Sequence, residues 1–450
     1  MIFSPATLHK QLQRFPRPRG YWVAYSGGMD SHVLLHALAA LRDTLGASVG
    51  AVHVNHGLQA HAADWQEHCA AVCRELDVEF AALSVDARAA SGESPEAAAR
   101  KARYTALADW LPGQHCLLTA HHQDDQAETL LVQLLRGSGV QGLAAMPAQS
   151  VLGQGMHLRP LLDCPRSGLV SYADAQGLNW IEDPSNRDTG FTRNFLRHRV
   201  MPELQRRWPG SSASLARSAA HQAEAATLLD ELAAVDLATL SVPDAALSRP
   251  GLDALSAQRQ RNVLRFWIRQ RTGGCPSSAV LARIQQDALH SRPDAEPCVR
   301  WGDFELRRYR DRLYVLHQMA VPLPGQELEW SLQAPLSIPQ AGGELSVIPQ
   351  TGQGIRESVL DGNGVRVGWR RGGERCVPAG RGQHHSLKKL FQEQGIPPWQ
   401  RARIPLIYIG GQLAAVAGLW VCEPFQAGPG EPGLLIQWRH TVQTAEKRPD

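Results

Sequence analysis

The sequence has little of what membrane-spanning, secreted or thiolate-metal proteins require. Its 450 residues include 8 cysteines, and no two of them form a Cys-x-x-Cys pair. So dilute and irregular a set predicts neither a disulfide framework nor a thiolate metal site. The longest apolar stretch, 406–421, is broken by glycines and is typical of a hairpin rather than a membrane span. Residues 1–20 lack a continuous apolar block, so we expect a cytoplasmic protein.

The net charge is also small, because 46 Lys and Arg residues are nearly balanced by 43 Asp and Glu residues. Its distribution is uneven. Seven arginines but only two acids lie between Arg187 and Arg217, and nine Lys or Arg but only two acids lie between Arg366 and Arg403. The first stretch is typical of a basic flank near a reaction site, with a solvated helix face as the alternative. The second suits binding to RNA, with a solvated charged surface as the alternative.

Aromatic residues are interleaved with the second basic stretch, at Trp369, Phe391 and Trp399. Exposed aromatic rings stack on bases, so this composition suits RNA. A core position for Trp399 is an equal alternative.

The order of apolar patterns predicts three domains. Over residues 1–210, strand-like and helix-like segments alternate, which predicts an α/β domain with a parallel sheet covered by helices. Residues 211–320 have mainly helical patterns, and residues 360–450 predict a small α+β domain. The predicted strands of the first domain are 21–25, 48–54, 78–85 and 116–120, and its predicted helices are 32–41, 63–76, 95–110 and 126–136.

The clearest chemical pattern lies between the first predicted strand and the first predicted helix. Two glycines allow close approach of a ligand to the backbone, and the helix N-terminus offers free N–H groups, a combination that binds phosphate. No Gly-Lys-Ser/Thr follows, so this is not a Walker loop. The aspartate could hold Mg²⁺ between phosphates, and a plain turn with a serine cap is the alternative. The residues are Ser26, Gly27, Gly28, Met29, Asp30 and Ser31.

A second cluster, residues 121–129, follows the strand predicted at 116–120. Open parallel sheets bind their ligands at this end of the strands. Asp125 and Glu128 are three positions apart, so on a helix their carboxylates share a face and could bind Mg²⁺ or an ammonium group. The alternative is that Asp124 and Asp125 serve the helix N-terminus and that Glu128 is solvated.

The hexad at 26–31 resembles the SGGxDS loop of the N-type ATP pyrophosphatases (PP-loop family), which release pyrophosphate and leave AMP on their substrates. Among these, further fragments resemble the tRNA(Ile)-lysidine synthetase family. The fragments are His53–Leu58, Glu96–Tyr104, Arg136–Gly139, Arg159–Leu162, Asp183–Asn186 and Arg193–Asn194, followed in the C-terminal part by Arg370–Arg375, Leu387–Phe391 and Ile396–Arg401.

The resemblance implies a reaction and its partners. ATP with Mg²⁺ would adenylate C2–O of the wobble cytidine in the isoleucine tRNA with a CAU anticodon, and L-lysine would displace AMP to form lysidine. Residues 26–31 would bind ATP. Asp30 and Asp125 would organise Mg²⁺, and Glu128 with Asp125 would receive lysine.

The same resemblance assigns the basic residues. Arg193 would contact phosphate or the intermediate, with Arg197 and Arg199 as alternatives. In the C-terminal domain, the residues that would bind tRNA are Arg370, Arg371, Lys388 and Lys389.

Two other functions fit parts of the pattern. A tRNA thiolase would share the adenylation chemistry but needs cysteines near the ATP site, whereas Cys116 is predicted inside a strand. An RNA-binding protein with an inactive loop is the second alternative. It is disfavoured because Asp30, Asp125 and Glu128 are all present.

Overall fold

The structure, a computed structural model, describes residues 2–55, 62–86, 88, 95–292, 295–318 and 325–440. Residues 56–58 of the fragment 53–58 therefore lie outside the described residues. The chain divides into two compact units, one ending at Leu232 and the other beginning at Ala233. The domain boundaries expected near residues 210, 320 and 360 remain predictions.

The first unit is built on a six-stranded sheet. Its order is β3-β2-β1-β4-β6-β5, and every neighbouring pair is parallel except the β5–β6 hairpin. This confirms the α/β class with a parallel sheet. The strands are β1 (Gly20–Ala24), β2 (Ser48–Asn55), β3 (Glu79–Ser84), β4 (His115–Leu118), β5 (Gln149–Leu152) and β6 (Gly155–Leu158).

The helices of this unit connect and cover the strands. A π-helical turn, Leu196–Val200, joins α9 to α10, and α11 continues past Leu232. The helices are α1 (Pro5–Leu12), α2 (Met29–Ala39), α3 (Arg42–Leu45), α4 (Ala62–Glu75), α5 (Pro95–Trp110), α6 (Gln123–Leu135), α7 (Val140–Leu143), α8 (Arg166–Ala175), α9 (Thr192–Phe195), α10 (Met201–Arg207) and α11 (Ser211–Leu240).

The period of two along β1 explains why helices lie on both faces of the sheet. Tyr21 and Val23 belong to one buried cluster, whereas Trp22 belongs to another. Successive side chains of a strand point to opposite faces, so both faces of β1 are apolar and both must be covered. The strands and helices predicted up to residue 136 are all found, the helix 95–110 at its predicted bounds and the others with shifted ends. The hairpin β5–β6 and helix α8 were not predicted.

The second unit begins with helices and an antiparallel sheet of order β7-β8-β11-β10-β9. A π-helical turn at Ile284–Leu289 follows α14. The elements are β7 (Ser241–Val242), β8 (Ala246–Ser248), α12 (Arg249–Asp253), α13 (Ala257–Thr272), α14 (Ser278–Arg283), β9 (Cys298–Trp301), β10 (Phe304–Tyr309) and β11 (Arg312–His317).

The remainder of this unit contains a five-stranded sheet, β12-β16-β19-β20-β21, and a four-stranded sheet, β13-β14-β22-β15. The hairpin expected at 406–421 is confirmed as β19–β20. The elements are β12 (Glu327–Glu329), β13 (Leu336–Ile338), β14 (Gly343–Thr351), β15 (Ile355–Arg356), β16 (Val365–Gly368), β17 (Arg375–Cys376), β18 (His385–Ser386), α15 (Leu387–Glu393), α16 (Pro398–Arg401), β19 (Leu406–Ile409), β20 (Gln412–Val416), β21 (Trp420–Val421) and β22 (Pro432–His440).

Among the described residues, no helix combines the length and the apolar character needed to cross a membrane.

Candidate active site

A cleft opens at the carboxyl ends of β1 and β4, which are neighbours in the sheet. From β1 the chain proceeds to β2 on one side, whereas β4 leads to β6 on the other, so the order of strands reverses here. Open α/β sheets bind ligands at such a reversal. The cleft has a cavity volume of about 190 Å³ and opens to solvent, and residues of the 26–31 loop, α5 and the start of α6 line it. It can therefore hold part of a ligand whose remainder extends outside the cleft.

The 26–31 loop has the backbone shape that a phosphate-binding turn needs. Gly27 adopts a φ of +82°, a region that favours glycine. The Ser31 hydroxyl donates to the Gly28 carbonyl at 2.9 Å, and Ile181 N–H donates to the Gly27 carbonyl at 2.9 Å. Gly28 is the N-cap of α2 and provides no side-chain cap. The first turn of α2 is thus arranged as a site for an anion.

Asp30 and Asp125 meet at His122. One Asp30 oxygen, Oδ1, is buried without a hydrogen-bond partner among the described residues, and Oδ2 lies 3.7 Å from His122 Nε2. The same nitrogen lies 3.4 Å from Asp125 Oδ2. Burial by itself would lower the pKa of His122, but the bond to Asp30 and the charge of Asp125 raise that pKa above its usual value.

His122 also caps α6. Its imidazole Nδ1 accepts a hydrogen bond from the backbone N–H of Asp125 at 3.4 Å, and the backbone N–H of His122 donates to Asp125 Oδ2 at 3.0 Å. This reciprocal cap starts the helix at Gln123, earlier than the predicted 126, and fixes the direction of the Asp125 carboxylate.

Asp125 and Glu128 share one face of α6, as their spacing predicted, and two arginines cover them. Arg197 Nη2 lies 2.8 Å from Asp125 Oδ1, and its Nε lies 2.7 Å from Glu128 Oε1. Arg193 reaches the same two carboxylates at 3.2 and 3.1 Å. Glu128 is 2% exposed, which contradicts the alternative that it is solvated.

These contacts set the protonation of the pair. Burial would raise the pKa of Asp125, but His122 and the two arginines lower it to about 2. Burial would likewise lower the pKa of Arg197, but its bonds to Glu128 raise that pKa. Asp125 and Arg197 are therefore both charged at neutral pH.

Asp124, in contrast, serves the structure. Its Oδ1 accepts from the Ser212 hydroxyl at 2.8 Å, and its Oδ2 accepts from the Arg166 N–H at 3.0 Å. The alternative, that Asp124 and Asp125 serve the N-terminus of α6, describes the capping part of what Asp125 does, whereas the hydrogen bonds of Asp124 go to residues outside α6.

The helix that carries Arg193 and Arg197 also holds a loop. Asn194 Nδ2 donates to two carbonyls of the loop 183–190, at 3.0 and 2.9 Å, and His198 Nε2 lies 2.8 Å from a third. The two arginines are one helical turn apart and share a face, while Asn194 and His198 form the adjacent face. The fragments Asp183–Asn186 and Arg193–Asn194 are therefore one assembly.

A network that sequence reasoning missed forms the back of the cleft. Thr119 Oγ1 lies 2.8 Å from His121 Nδ1 and 2.8 Å from His157 Nε2. Burial lowers the pKa of His121 to about 3 and that of His157 to about 2. Both imidazoles are therefore neutral at neutral pH. Arg103 and Tyr104 of α5 also line the cleft. The only signal for them in the sequence was their place in the fragment Glu96–Tyr104.

The four basic residues expected to bind tRNA differ in their surroundings. Lys388 and Lys389 are exposed on α15. Arg371 is exposed and paired with Glu327 at 2.9 Å. Arg370 is partly buried, with its guanidinium 5.5 Å from the centre of the Phe391 ring. The two lysines are thus the members of this set that are most open to a ligand.

The expectation of base-stacking aromatics in this stretch is wrong for two of them. Trp369 is 2% exposed and Phe391 is fully buried, because both belong to the apolar core of the second unit. Trp399 packs at 5.3 Å from Tyr314 and 6.2 Å from Tyr309, measured between ring centres. Its alternative assignment to packing is therefore supported.

The buried imidazoles make a prediction about acid sensitivity. Because the pKa of His157 is lower in the folded chain than the usual 6.5, the unfolded chain binds a proton first as pH falls. Stability is full above that usual value and declines towards the folded value, by about 1.4 kcal/mol per pH unit. His157→Gln should therefore flatten the fall of the melting temperature between about pH 7 and pH 5.

The matched control for this measurement is His221→Gln, which replaces an exposed imidazole of the same unit. It should leave the pH dependence unchanged. Equal slopes for wild type, His157→Gln and His221→Gln would contradict the assignment of a neutral buried His157.

Comparison with known proteins follows the same order along the chain. A PP-loop domain matches residues 5–204, a TilS substrate binding domain matches 247–314, and a TilS substrate C-terminal domain matches 365–438. The tRNA(Ile)-lysidine synthase of Alkalilimnicola ehrlichii is 46% identical over 428 residues, which cover 95% of this chain and 96% of that relative. The tRNA(Ile)-lysidine synthase of Coxiella burnetii is 43% identical over 436 residues, 97% of each chain. Matches of this extent, on a chain with the PP-loop cleft described above, show that it belongs to the tRNA(Ile)-lysidine synthase family.

Proposed function

We propose that this enzyme joins L-lysine to C2 of the wobble cytidine of an isoleucine tRNA with a CAU anticodon. As a member of its family it is an ATP-dependent ligase that forms lysidine on tRNA(Ile). The observation that carries the finer proposal is that one cleft is lined by Asp30 of the 26–31 loop and by Asp125, which shares Arg193 and Arg197 with Glu128.

The first step would join cytidine O2 to the α-phosphorus of ATP, and the bond to pyrophosphate would break. The 26–31 loop would hold the leaving pyrophosphate through backbone N–H groups and the N-terminus of α2. AMP then resides on O2 as a leaving group. This activation is needed because the carbonyl oxygen of a pyrimidine leaves poorly by itself.

Mg²⁺ fits the carboxylates of this cleft. Asp30 presents a buried oxygen without a hydrogen-bond partner among the described residues, and Asp125 lies on the same histidine nitrogen. No group of three protein ligands that could hold a metal ion occurs in the part of the chain that the structure describes. Mg²⁺ commonly takes only one or two carboxylates and completes its shell with phosphates and water. When bound, it would neutralise charge on the phosphates.

The second step would join a lysine nitrogen to C2, break the bond from C2 to O2, release AMP and lose one proton. Asp125 and Glu128 would hold a lysine ammonium beside Arg193 and Arg197. Because the pKa of Asp125 is about 2, this carboxylate is a weak proton acceptor. We therefore assign it to binding and orientation rather than to deprotonation of lysine.

The thiolase alternative is disfavoured by the state of the nearby thiols. A catalytic thiol needs exposure and a lowered pKa. Cys69, next to Gly27, and Cys116 in β4 are buried, and burial raises their pKa values to about 12 and about 11. They are therefore protonated packing residues.

A direct test uses the full chain with ATP, labelled lysine and tRNA. We expect label in an isoleucine tRNA with a CAU anticodon, together with release of AMP and pyrophosphate. Replacing the wobble cytidine by uridine should abolish incorporation. Label without cytidine dependence, or sulfur transfer in place of lysine, would refute the proposal.

Asp30→Asn should reduce pyrophosphate release by at least about a hundredfold while tRNA affinity stays within about twofold, because it removes a metal and phosphate contact but no RNA contact. The matched control is Asp163→Asn, whose carboxylate is 66% exposed and paired with Arg14. It should behave as wild type. Full AMP-forming activity of Asp30→Asn would exclude the metal role.

Glu128→Gln should spare formation of the adenylated tRNA and raise the KM for lysine by about tenfold or more, the worth of one charged hydrogen bond. Glu203→Gln is the control, since Glu203 is exposed and forms a surface ion pair with Arg206. Loss of pyrophosphate release with an unchanged lysine KM would instead place Glu128 in the first step.

Lys388→Ala with Lys389→Ala should weaken tRNA binding and lower the slope of log affinity against log salt by roughly 1.5, because each lysine–phosphate contact releases a counterion. Lys10→Ala with Arg74→Ala makes the same change in net charge on exposed residues of the first unit. An equal effect of both double variants would show a general charge effect in place of a local tRNA contact.

A further inference from the structure

The helix that carries the catalytic-site arginines has a third face, and it is open to solvent. Arg193 and Arg197 face the carboxylates, and Asn194 and His198 face the loop 183–190. Phe191, Phe195 and Arg199 follow one another at four-residue spacing and are all exposed. Neither the core nor the catalytic pair uses this face.

Exposed aromatic rings are concentrated at this place. Phe191 is 41% exposed, Phe195 is 48% exposed and Trp208 is 57% exposed. No other Phe, Tyr or Trp in the described ranges is as open as these three. Each exposed ring forgoes the free energy that burial would provide. Single exposed apolar residues are ordinary on protein surfaces, but three large rings within one short segment indicate a binding surface. We call Phe191, Phe195 and Arg199 the aromatic face, and Trp208 follows it in the chain at the end of α10.

Positive charge accompanies these rings. Arg199 is exposed, and the Arg207 guanidinium lies 5.4 Å from the centre of the Trp208 ring. Arg206 is 79% exposed, and its pair with Glu203 is a surface ion pair of the kind that contributes little. The segment therefore combines flat rings with arginines, which is the composition of surfaces that stack and neutralise single-stranded RNA.

We propose that the aromatic face binds unpaired nucleotides of the tRNA loop that contains the target cytidine, by stacking bases on Phe191 and Phe195. The inference rests on the proposed function. A cytidine that enters the cleft must leave the stack of its loop, so its neighbours lose stacking partners. Rings on the outer side of the same helix can replace those partners, and Arg199 can contact a phosphate between them.

The position of the rings favours RNA over a protein partner. Aromatic residues and arginines are also enriched at the centres of protein interfaces, so composition alone does not separate the two kinds of partner. Phe191 and Phe195 stand on either side of Arg193 in the sequence, and Arg193 contacts the Asp125–Glu128 pair. The proposed function brings an RNA loop to that pair, and we therefore assign RNA to the aromatic face.

The test measures binding of two RNAs to the full chain. One is a stem-loop with the CAU anticodon loop, and the other is the same stem as a blunt duplex without a loop. Phe191→Ala with Phe195→Ala should raise the Kd of the stem-loop by about tenfold for each base that loses a ring. The Kd of the blunt duplex should not change. Phe191→Tyr with Phe195→Tyr, which keeps both rings, should restore binding of the stem-loop.

Salt dependence separates stacking from charge. The double alanine variant should keep the wild-type slope of log affinity against log salt, because stacking releases no counterion. Arg199→Gln should lower that slope by roughly 0.7, the value for one phosphate of a single strand. Val151→Ala, which trims a side chain that is 69% exposed on β5, is the control for lost apolar surface and should bind as wild type.

Three outcomes would overturn the proposal. They are unchanged affinity of the double alanine variant for the stem-loop, an equal loss for stem-loop and duplex, and a loss of self-association with RNA binding intact. The last would make the face a contact between copies of the chain. Folding of each variant is checked by its ATP affinity, which should stay at the wild-type value.

The proposed function can fail separately. If wild type forms no lysidine but the stem-loop binds and depends on Phe191 and Phe195, the aromatic face stands without the ligation. If lysidine forms at the wild-type rate and KM for tRNA in the double alanine variant, the ligation stands without the aromatic face.

Discussion

The first unit depends on the burial of two carboxylates at one end of its sheet. Asp125 and Glu128 are almost inaccessible, and buried negative charges are costly unless they are paired. Arg193 and Arg197 supply that pairing with five hydrogen bonds of 2.7 to 3.2 Å. The helix that carries them must therefore dock against α6. Once docked, its other face holds the loop 183–190 through Asn194 and His198.

The same chain of contacts reaches the phosphate loop. Ile181 lies just before the loop 183–190, and its N–H donates to the Gly27 carbonyl. The turn that would hold pyrophosphate and the pair that would hold lysine are thus linked by a short continuous segment. Two carboxylates and two guanidinium groups also balance in charge. In the proposed reaction, a lysine ammonium would add positive charge beside this set, and the phosphates of ATP would add negative charge.

The sequence predicted the parts of this site that local rules determine. The alternation of patterns predicted the parallel sheet, the glycines predicted the turn, and the spacing of Asp125 and Glu128 predicted their common face. It did not predict that Arg193 and Arg197 lie on Asp125, because those partners are 68 and 72 residues away and no periodicity relates them. The hydrogen bond between Thr119 and His157 was not predicted for the same reason, since the two residues are brought together only by the pairing of strands in the sheet.

Burial of aromatic residues shows a second limit. Trp369 and Phe391 lie in a basic stretch and looked suited to stacking, yet they form the core of their unit. Phe191 and Phe195 lie in the other basic stretch, for which the sequence indicated a role only for the arginines, and both rings are exposed. Composition reports which residues are present in a segment, but a helix of mixed residues can turn either set outward. The three-dimensional packing of its neighbours decides which.

Helix α9 and the π-helical turn Leu196–Val200 have one side on the Asp125–Glu128 pair and the other side in solvent, an arrangement that the sequence did not predict. A short helix behaves as a rigid body, so fixing the side chains on its outer face also fixes the orientation of those on its inner face. In the proposed complex, bases stacked on Phe191 and Phe195 would hold the helix from outside while Asp125 and Glu128 hold it from inside. The arginines between them would then be fixed by the substrate that they act upon. Recognition of the loop and alignment of the charges would be two results of one docking event, while the exposed lysines of α15 would add affinity at a separate site.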